Sequence, residues 1–554
     1  MADAIGIAGL AIAVFDQLLK LGERTAQTIQ DIRTFAEDLR HVSETIRREH
    51  GITKALKYLL FEKSPKYGGQ MLFEQYGEEV QRTILSVVEE LLDTLESAAK
   101  LLDRHCGSDQ SWFSRENRFR TSRSNSPSPS TSTVDISSQP GTQIAERSSS
   151  TVSLGRKLIW SLYDKRSAKD IIDRYADRNN NLYRIVQLNS FASGIGVNLQ
   201  HLENMQHNQA AKQLGFDETA GLQLLAQAAT VGMADDFEIS DDFTFGCKDV
   251  TRIEDRFVTF NKSRTSYLQD TCEYKVNSSE IDHQTRSRLN GLVALLQQPK
   301  GQVFRIPKCI GWRFLPSTRE IAFIFESPGA PRTQPQSLLH LFDDPGIKPS
   351  LQDKFNLVHN LATSISQLQM VQWVHESFRS ENILFFLPPP LQDDPRNGRS
   401  NVAISLDSPW ILGFDFSRPE SFFSHGFPDT NPDRDIYRHP ERQGRPTMTF
   451  SKWHDIYSLG VVLLEIGLWE PAIQQQHPRD LFSVMRNPEN IRERLTKVAR
   501  RRLPAKVGGK YTELVVACLT GDFGVEDDTK EDIHLQQAFR AQVISVLAQI
   551  VKSI

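Results

Sequence analysis

Cysteine is scarce in this chain: only five cysteines occur among 554 residues, and no two of them form a Cys-x-x-Cys pair. Their scatter argues against a zinc site and is typical of reduced thiols in an intracellular protein. The sequence also lacks a run of about 18 apolar residues, so no ordinary membrane-spanning helix is expected. No basic stretch precedes the N-terminal apolar run, which argues against a secretory signal. We therefore expect a cytoplasmic protein.

An excess of charge of either sign is likewise absent. The chain has 65 Lys and Arg residues against 69 Asp and Glu residues, which gives a net charge of −4. This balance provides no bulk attraction to polyanions, so nucleic acid is not an expected partner. Apolar residues make up 39% of the chain and charged residues 24%, as in soluble globular domains. The length indicates about two to four domains.

The N-terminal part of the sequence has helical periodicity. Apolar residues recur at steps of three and four along residues 79–104, which is typical of an amphipathic helix. A Ser-, Thr- and Pro-rich stretch at about 107–154 has too few apolar residues to offset the entropy of folding. The helical pattern returns at 156–188. We predict an all-α bundle over 1–195 with a disordered insert, followed by a weakly patterned connector over 196–242.

The C-terminal part has a different texture. Short β-branched and aromatic stretches predict strands between about 243 and 330. Helical patterns dominate from about 350 onward, and strands followed by helices are typical of an α+β domain. We predict a two-lobed α+β domain over 243–554, with lobes at about 243–330 and about 331–554.

Four short motifs follow one another in this domain: "HESFRSEN", "DFS", "HPE" and "HDIYSLGVVLLEIGLW". The residues that carry them are His375, Asn382, Asp415, Phe416, Pro440, Glu441 and Asp455. In this order and spacing they resemble the catalytic loop, the metal-binding motif, the end of the activation segment and the next buried helix of protein kinases. The resemblance implies the two-lobed kinase fold.

The kinase resemblance also implies a nucleotide site. Asn382 and Asp415 would be oxygen ligands of Mg²⁺, which prefers hard oxygen donors. Lys275 would pair with nucleotide phosphates, and the alternative is an exposed strand lysine. Glu326 lies in "FIFESP", which resembles the segment that binds adenine, and the alternative is a plain buried strand. We expect Asp455 to cap the N-terminus of its helix. ATP and Mg²⁺ are the implied cofactors.

Several positions depart from the kinase pattern. Ser377 stands where a kinase has the Asp that accepts the substrate proton, and losing a positioned base costs about 10²–10⁴-fold in rate. Arg379 replaces a Lys near the transferred phosphate, and its planar guanidinium is not a point charge. Ser417 replaces a Gly, and no Gly-x-Gly-x-x-Gly precedes the strands. His375, Ser377 and Arg379 thus mark a degenerate loop. We expect a pseudokinase, with an active atypical Ser/Thr kinase as the alternative.

Two N-terminal stretches, "IGIAGLAIAVFDQLLKLGE" and "KLIWSLYDKRSAKDIIDRY", resemble fungal HeLo or HeLo-like domains of the prion-inhibition and propagation type. That resemblance implies an apolar first helix that is released to perturb membranes. The candidate membrane residues are Ile5, Ile7, Leu10, Ile12, Val14 and Phe15. Twelve apolar residues cover about 18 Å of helix, less than the hydrocarbon core of about 30 Å. A buried core helix is therefore the alternative.

The two resemblances together suggest a signalling pseudokinase coupled to a helical effector domain in fungal non-self recognition or regulated cell death. Its expected partners are other proteins, either an upstream receptor or further copies that associate through the N-terminal bundle. Recruitment to the plasma membrane is part of this hypothesis.

Overall fold

The computed structural model describes residues 6–31, 38–106, 165–229 and 236–554. The last range has gaps at 241–242, 244–247, 254–255, 263–264, 276–279, 299, 301, 330–332, 388–405, 415–416, 420–431, 444–447 and 476–487. The predicted insert at about 107–154 lies outside these residues, as do Ile5, Asp415, Phe416 and the side chain of Lys275.

The described chain divides into two compact units. The first consists of Met1–Asn189 with Gln209–Leu214, and the second of Ser190–Asn208 with Gly215–Ile554. The first unit is helical, which confirms the predicted all-α N-terminal region. Its helices are α1 Ile7–Asp31, α2 Asp38–Phe61, α3 Leu72–Gln75, α4 Glu78–Cys106, most of α5 Lys165–Phe191, and α7 Gln209–Gln213.

The periodicity of α4 determines the packing of the first unit. Its apolar stripe, with Ile84, Leu91 and Leu95 fully buried, faces α1. Aromatic rings extend this core, because the ring centroids of Phe15 and Phe61 lie 5.5 Å apart in an edge-to-face arrangement. Burial of these side chains is the main source of stability for such a bundle.

The second unit contains three antiparallel sheets. The largest has the strand order β1-β2-β3-β5-β4. Its strands are β1 Lys248–Ile253, β2 Phe257–Lys262, β3 Thr265–Lys275, β4 Cys309–Leu315 and β5 Glu320–Glu326. A three-stranded sheet has the order β6-β8-β9, and β7 pairs with β10. These strands are β6 Gln334–Ser337, β7 Trp373–Val374, β8 Ile383–Leu387, β9 Trp410–Ile411 and β10 Arg418–Pro419.

Helices form the rest of the second unit, and α13 lies almost entirely buried at its centre. Strands and helices together confirm the predicted α+β class of the C-terminal region. The helices are α6 Leu199–His207, α8 Phe216–Ala229, α9 His283–Gln297, α10 Leu338–Asp343, α11 Leu351–Met370, α12 Pro432–Asp435, α13 Lys452–Leu468, α14 Pro488–Val507, α15 Gly509–Thr520, α16 Ile533–Phe539 and α17 Ser545–Ser553.

The structure differs from two of the predictions. The stretch at 196–242, predicted as a connector, contains three helices, and Leu222 and Ala226 of α8 belong to the core of the second unit. The prediction that Asp455 caps α13 is wrong, because Ser451 occupies the cap position. The ring of His454 accepts a hydrogen bond from the Ser451 N–H, which leaves the Asp455 carboxylate available to bind groups outside the helix.

Candidate functional site

The loop between β7 and β8 carries the first motif, and a single carboxylate fixes its start. Asp455 is 1% exposed and accepts hydrogen bonds from the backbone N–H groups of His375, at 2.7 Å, and Glu376, at 3.0 Å. Glu376 has a φ of +63°, a conformation that non-glycine residues rarely adopt. The carboxylate, which lies 80 positions after His375 in the sequence, thus stabilises a strained turn.

The predicted base position is occupied by a buried hydroxyl. The N–H of Ser377 donates to His375 Nδ1 at 3.2 Å, and its carbonyl accepts from Asn382 Nδ2 at 2.7 Å. The hydroxyl oxygen of Ser377 lies 3.4 Å from the same amide nitrogen. This position therefore carries no anion at neutral pH that would accept a proton from a substrate hydroxyl.

The side chain of Asn382 is fully buried. Among the described residues, no group donates a hydrogen bond to its Oδ1. The backbone comes close on the other side, because a Cβ built on Gly413, whose φ is +86°, would lie 2.3 Å from Asn382 Nδ2. An amide oxygen is a hard donor of the kind that Mg²⁺ takes. Asn382 therefore fits the predicted metal-ligand role, while its expected partner Asp415 lies outside the described residues.

Besides Asp455, this site contains a second buried acidic group that was not predicted from the sequence. Asp270 on β3 is 1% exposed, and its carboxylate accepts from Arg256 Nε at 2.6 Å and from the Gly413 N–H at 2.9 Å. It joins the five-stranded sheet to the segment just before Asp415. Asp270 alternates along β3 with Leu268 and Cys272, so the three side chains share one buried face of the strand. A charged residue at such a position is the sequence feature that could have identified it.

The two predicted nucleotide-binding residues of the sheet do not come together. The strand register pairs Lys275 with Glu320 at one end of β5, whereas Glu326 pairs with Tyr267 at the other end. Glu326 forms an ion pair with Lys308 at 2.9 Å, and both side chains are more than two-fifths exposed. An exposed pair of this kind contributes at most about 1 kcal/mol.

A buried acid on α13 links the loop to the chain that follows it. Glu465 accepts from Tyr437 Oη and from the Ala472 N–H, both at 2.7 Å, and it also contacts the Ser380 hydroxyl. Burial raises the pKa of Glu465 to about 7. Arg379 is 4% exposed and pairs with Glu381, so its guanidinium is held within the loop.

Ser417, which stands at a glycine position of the kinase pattern, has a structural role. Its hydroxyl donates to the Val374 carbonyl at 2.7 Å and accepts from the indole N–H of Trp373. These bonds reinforce the pairing of β7 with β10. The departure from glycine is therefore explained by a polar contact that glycine cannot make.

The third motif forms a cluster of possible metal ligands: His439, Glu441 and His454. The hydrogen bonds argue against a metal. His439 Nε2 accepts from the Trp453 indole N–H at 3.0 Å, and His454 Nδ1 accepts from the Ser451 N–H at 2.9 Å. A neutral imidazole has a single lone pair, and both rings already use it. Burial lowers the pKa of His439 to about 4 and that of His454 to about 3. The two imidazole rings are thus neutral, and they form a hydrogen-bond network with the Glu441 carboxylate beside Pro440.

Residues 236–240, which we call the strap, lie along the edge of β4. The Ile239 N–H donates to the Trp312 carbonyl at 2.7 Å, and the Trp312 N–H donates to the Phe237 carbonyl at 3.1 Å. Asn290 of α9 accepts from the Phe237 N–H at 3.1 Å and from the Trp312 indole at 2.7 Å. Arg286 of the same helix pairs with the strap carboxylates, and its guanidinium also lies 5.3 Å from the ring centroid of Trp312 on β4. The strap therefore fixes the position of α9.

Five of the predicted membrane residues lie on α1 of the first unit, and Ile5 lies outside the described residues. Val14 and Phe15 are buried, Ile7 and Ile12 are half-buried, and Leu10 is 46% exposed. Among its described side chains, α1 therefore has a core face and one exposed large apolar side chain. No helix in the described part of the chain is long and apolar enough to span a bilayer.

Comparison with known proteins adds one family. Residues 325–554 match the model of a domain of unknown function (DUF7580), and no functionally curated protein matches the chain. The matched region includes the loop from His375 to Asn382, together with Gly413 and Asp455. It begins at the end of β5, so most of the five-stranded sheet lies outside it. The C-terminal part of this chain is therefore similar to a domain family whose function is not established.

Proposed function

We propose that the second unit is a protein-kinase-like domain that retains the kinase framework without phosphoryl transfer, and that it is a signalling switch for the helical N-terminal unit. One observation carries the proposal. The start of the loop at the predicted catalytic position is held by Asp455, yet the loop presents the Ser377 hydroxyl where phosphoryl transfer requires a carboxylate.

The framework half of the proposal rests on three features in kinase order. A five-stranded antiparallel sheet precedes the loop, Asn382 closes the loop, and α13 contributes the buried Asp455 that binds the loop backbone. Hydrogen bonds between groups about 80 residues apart are costly to maintain by chance, since each unmatched buried partner would destabilise the fold. These features favour a kept scaffold over an accidental set of motifs.

The loss of phosphoryl transfer is supported by charge as well as by Ser377. Asp270 places a buried carboxylate against Gly413, two residues before the predicted metal ligand Asp415. A negative charge there opposes the approach of nucleotide phosphates. The ion pair with Arg256, whose Nε lies 2.6 Å from Asp270 Oδ1, offsets part of this effect.

A second candidate is an atypical kinase that binds ATP with Mg²⁺. The observation that favours it is the unpartnered Oδ1 of the fully buried Asn382. Asn382 and Asp415 would hold the metal ion, which would neutralise charge on the transferred phosphoryl group.

Thermal-shift titration of the full chain tests whether the domain binds nucleotide, which the kinase candidate requires and the switch does not. Stabilisation by millimolar ATP that requires Mg²⁺ and disappears in Asn382→Leu supports nucleotide binding. An unchanged melting temperature argues against both the kinase and a nucleotide-controlled switch. A switch that responds to a protein partner is consistent with that result.

The effector half of the proposal rests on α1 and on the resemblance of the first unit to HeLo-like domains. Leu10 is an exposed apolar side chain on a helix whose other face is in the core. A fragment of residues 1–214 contains every residue of the first unit, and we expect it to release dye from anionic liposomes. Release of this kind is how the domain would act at the plasma membrane once a receptor, or self-association, activates it.

A matched pair of variants tests the role of α1. Leu10→Asp removes the exposed apolar side chain of α1, and Tyr58→Asp does the same on α2, where Tyr58 is 53% exposed. Dye release should be lost in Leu10→Asp and retained in Tyr58→Asp. Intact liposomes with the unmodified fragment, or equal loss in both variants, would exclude the membrane role.

A further inference from the structure

The surface of α14 is strongly basic on one side. Arg492, Lys497, Arg500 and Arg501 line an open groove of about 590 Å³ that continues to Thr520 at the end of α15. Most of the residues that line the groove belong to α14, where residues three and four positions apart share one face of the helix. The function proposed above does not require these positive charges.

Three of the positive charges of the groove are not balanced by an ion pair among the described residues. Among the described residues, no carboxylate pairs with Lys497, Arg500 or Arg501. Lys497 lies one turn from both arginines, and like charges at that spacing destabilise a helix by a few tenths of a kcal/mol per pair. Glu493 also lines the groove and offsets part of the charge of these three cations. Their remaining excess charge favours an anionic ligand.

A hydroxyl group adds a further hydrogen-bond donor. Thr496 lines the groove between Arg492 and Arg500, and its Oγ1 is buried with no hydrogen-bond partner among the described residues. Threonine adopts two χ1 rotamers in a helix, and the binding mode proposed below uses a rotamer that turns the hydroxyl towards the groove. Two guanidinium groups, an ammonium group and a hydroxyl are the donors that recognise a phosphate monoester.

We propose that this groove binds a phosphorylated serine or threonine in a peptide segment of a partner protein. Arginine clusters recognise phosphorylated motifs because a dianionic phosphate accepts paired N–H donors. A membrane surface fits less well, because the described side chains of α14 and α15 include no exposed large apolar one. Nucleic acid also fits less well, because the four cations lie within ten residues, about 14 Å of helix, which covers few backbone phosphates.

Fluorescence anisotropy with the full chain tests the proposal. The probe is a fluorescein-labelled heptapeptide of alanines with one central phosphoserine, and the comparison peptide has serine at that position. We expect the phosphorylated peptide to bind at least tenfold more tightly. Arg500→Gln with Arg501→Gln should weaken its binding at least tenfold, and Thr496→Val about threefold. The matched control, Lys510→Gln with Lys530→Gln, removes the same charge from exposed sites outside the groove and should leave binding unchanged.

The alternatives give different results. Equal binding of both peptides, or equal loss in the groove and control variants, overturns the proposal. Binding to vesicles with 30% phosphatidylserine, or to a single-stranded 20-mer DNA, that depends on Arg500 and Arg501 while the phosphopeptide does not bind overturns it in favour of a lipid or nucleic-acid surface. These outcomes are independent of whether the kinase-like loop transfers phosphate.

Discussion

Replacement of Asp455 by alanine is the sharpest test of how the degenerate loop is held. The carboxylate of Asp455 accepts two backbone hydrogen bonds, at 2.7 and 3.0 Å, and only 1% of the residue is exposed. A hydrogen bond to a charged group contributes about 1.5–3 kcal/mol, and a buried N–H left without a partner costs a comparable amount. Allowing for partial relaxation of the loop, we expect Asp455→Ala to lower the free energy of unfolding by about 3–5 kcal/mol.

Urea unfolding followed by tryptophan fluorescence measures this change in the full chain. Trp312, Trp373 and Trp453 lie in the second unit and report on it. Hydrogen exchange adds local resolution, because the N–H groups of His375 and Glu376 lose their acceptor and should exchange much faster. Asp455→Asn keeps one oxygen acceptor without its charge, so its effect should be about half as large.

The matched control is Glu513→Gln on α15, an exposed carboxylate whose loss should change stability by less than about 0.5 kcal/mol. A loss of less than about 1 kcal/mol in the free energy of unfolding of Asp455→Ala would refute this role of the carboxylate, and so would unaltered exchange at His375 and Glu376. Either result would mean that the loop holds its conformation without the carboxylate.

Three further predictions follow from the same region and its surroundings. Gly413→Ala places a Cβ 2.3 Å from Asn382 Nδ2 at a φ of +86°, so it should destabilise the second unit by roughly 3 kcal/mol or more in urea unfolding, and a smaller loss would show that Asn382 has room to move. Burial raises the pKa of Glu465 from 4.5 to about 7, so the folded state keeps that proton longer than the unfolded state. Stability should therefore fall by about 3 kcal/mol as pH rises from about 4.5 to 7, and Glu465→Gln should remove this dependence. Gly311→Ala places a Cβ 2.6 Å from the Phe237 carbonyl, so hydrogen exchange at Ile239 should rise, whereas unchanged exchange would show that the strap is not held by this contact.

The fold class followed from the sequence because periodicity is a local property. The stripe along α4 and the strand-then-helix order of the C-terminal region each depend on residues a few positions apart. The helices within 196–242 were not predicted because α8 is apolar over much of its surface, with little contrast between its faces. Its place in the core depends on contacts with α9, which the local pattern does not contain.

The site was predictable in its motifs and not in its pairings. Asn382 and Ser377 were identified from the resemblance of their motif to a kinase catalytic loop, and in the structure Asn382 Nδ2 donates to the Ser377 carbonyl. The bond from Asp270 to Gly413 joins residues 143 positions apart, and no local pattern indicates such a partner. Asp455 was predicted as a helix cap because an acidic residue near a helix start is typical of one, but a buried loop N–H competes successfully for its carboxylate.

The most direct test of the central claim is transfer of labelled phosphate from [γ-³²P]ATP, with Mg²⁺ or Mn²⁺, by the full chain to itself and to a generic Ser/Thr peptide mixture. With Ser377 at the base position and Asp270 beside Gly413, we expect no transfer above that of Asn382→Leu. Transfer by the unmodified chain that Asn382→Leu abolishes would contradict the account and identify the domain as an atypical kinase.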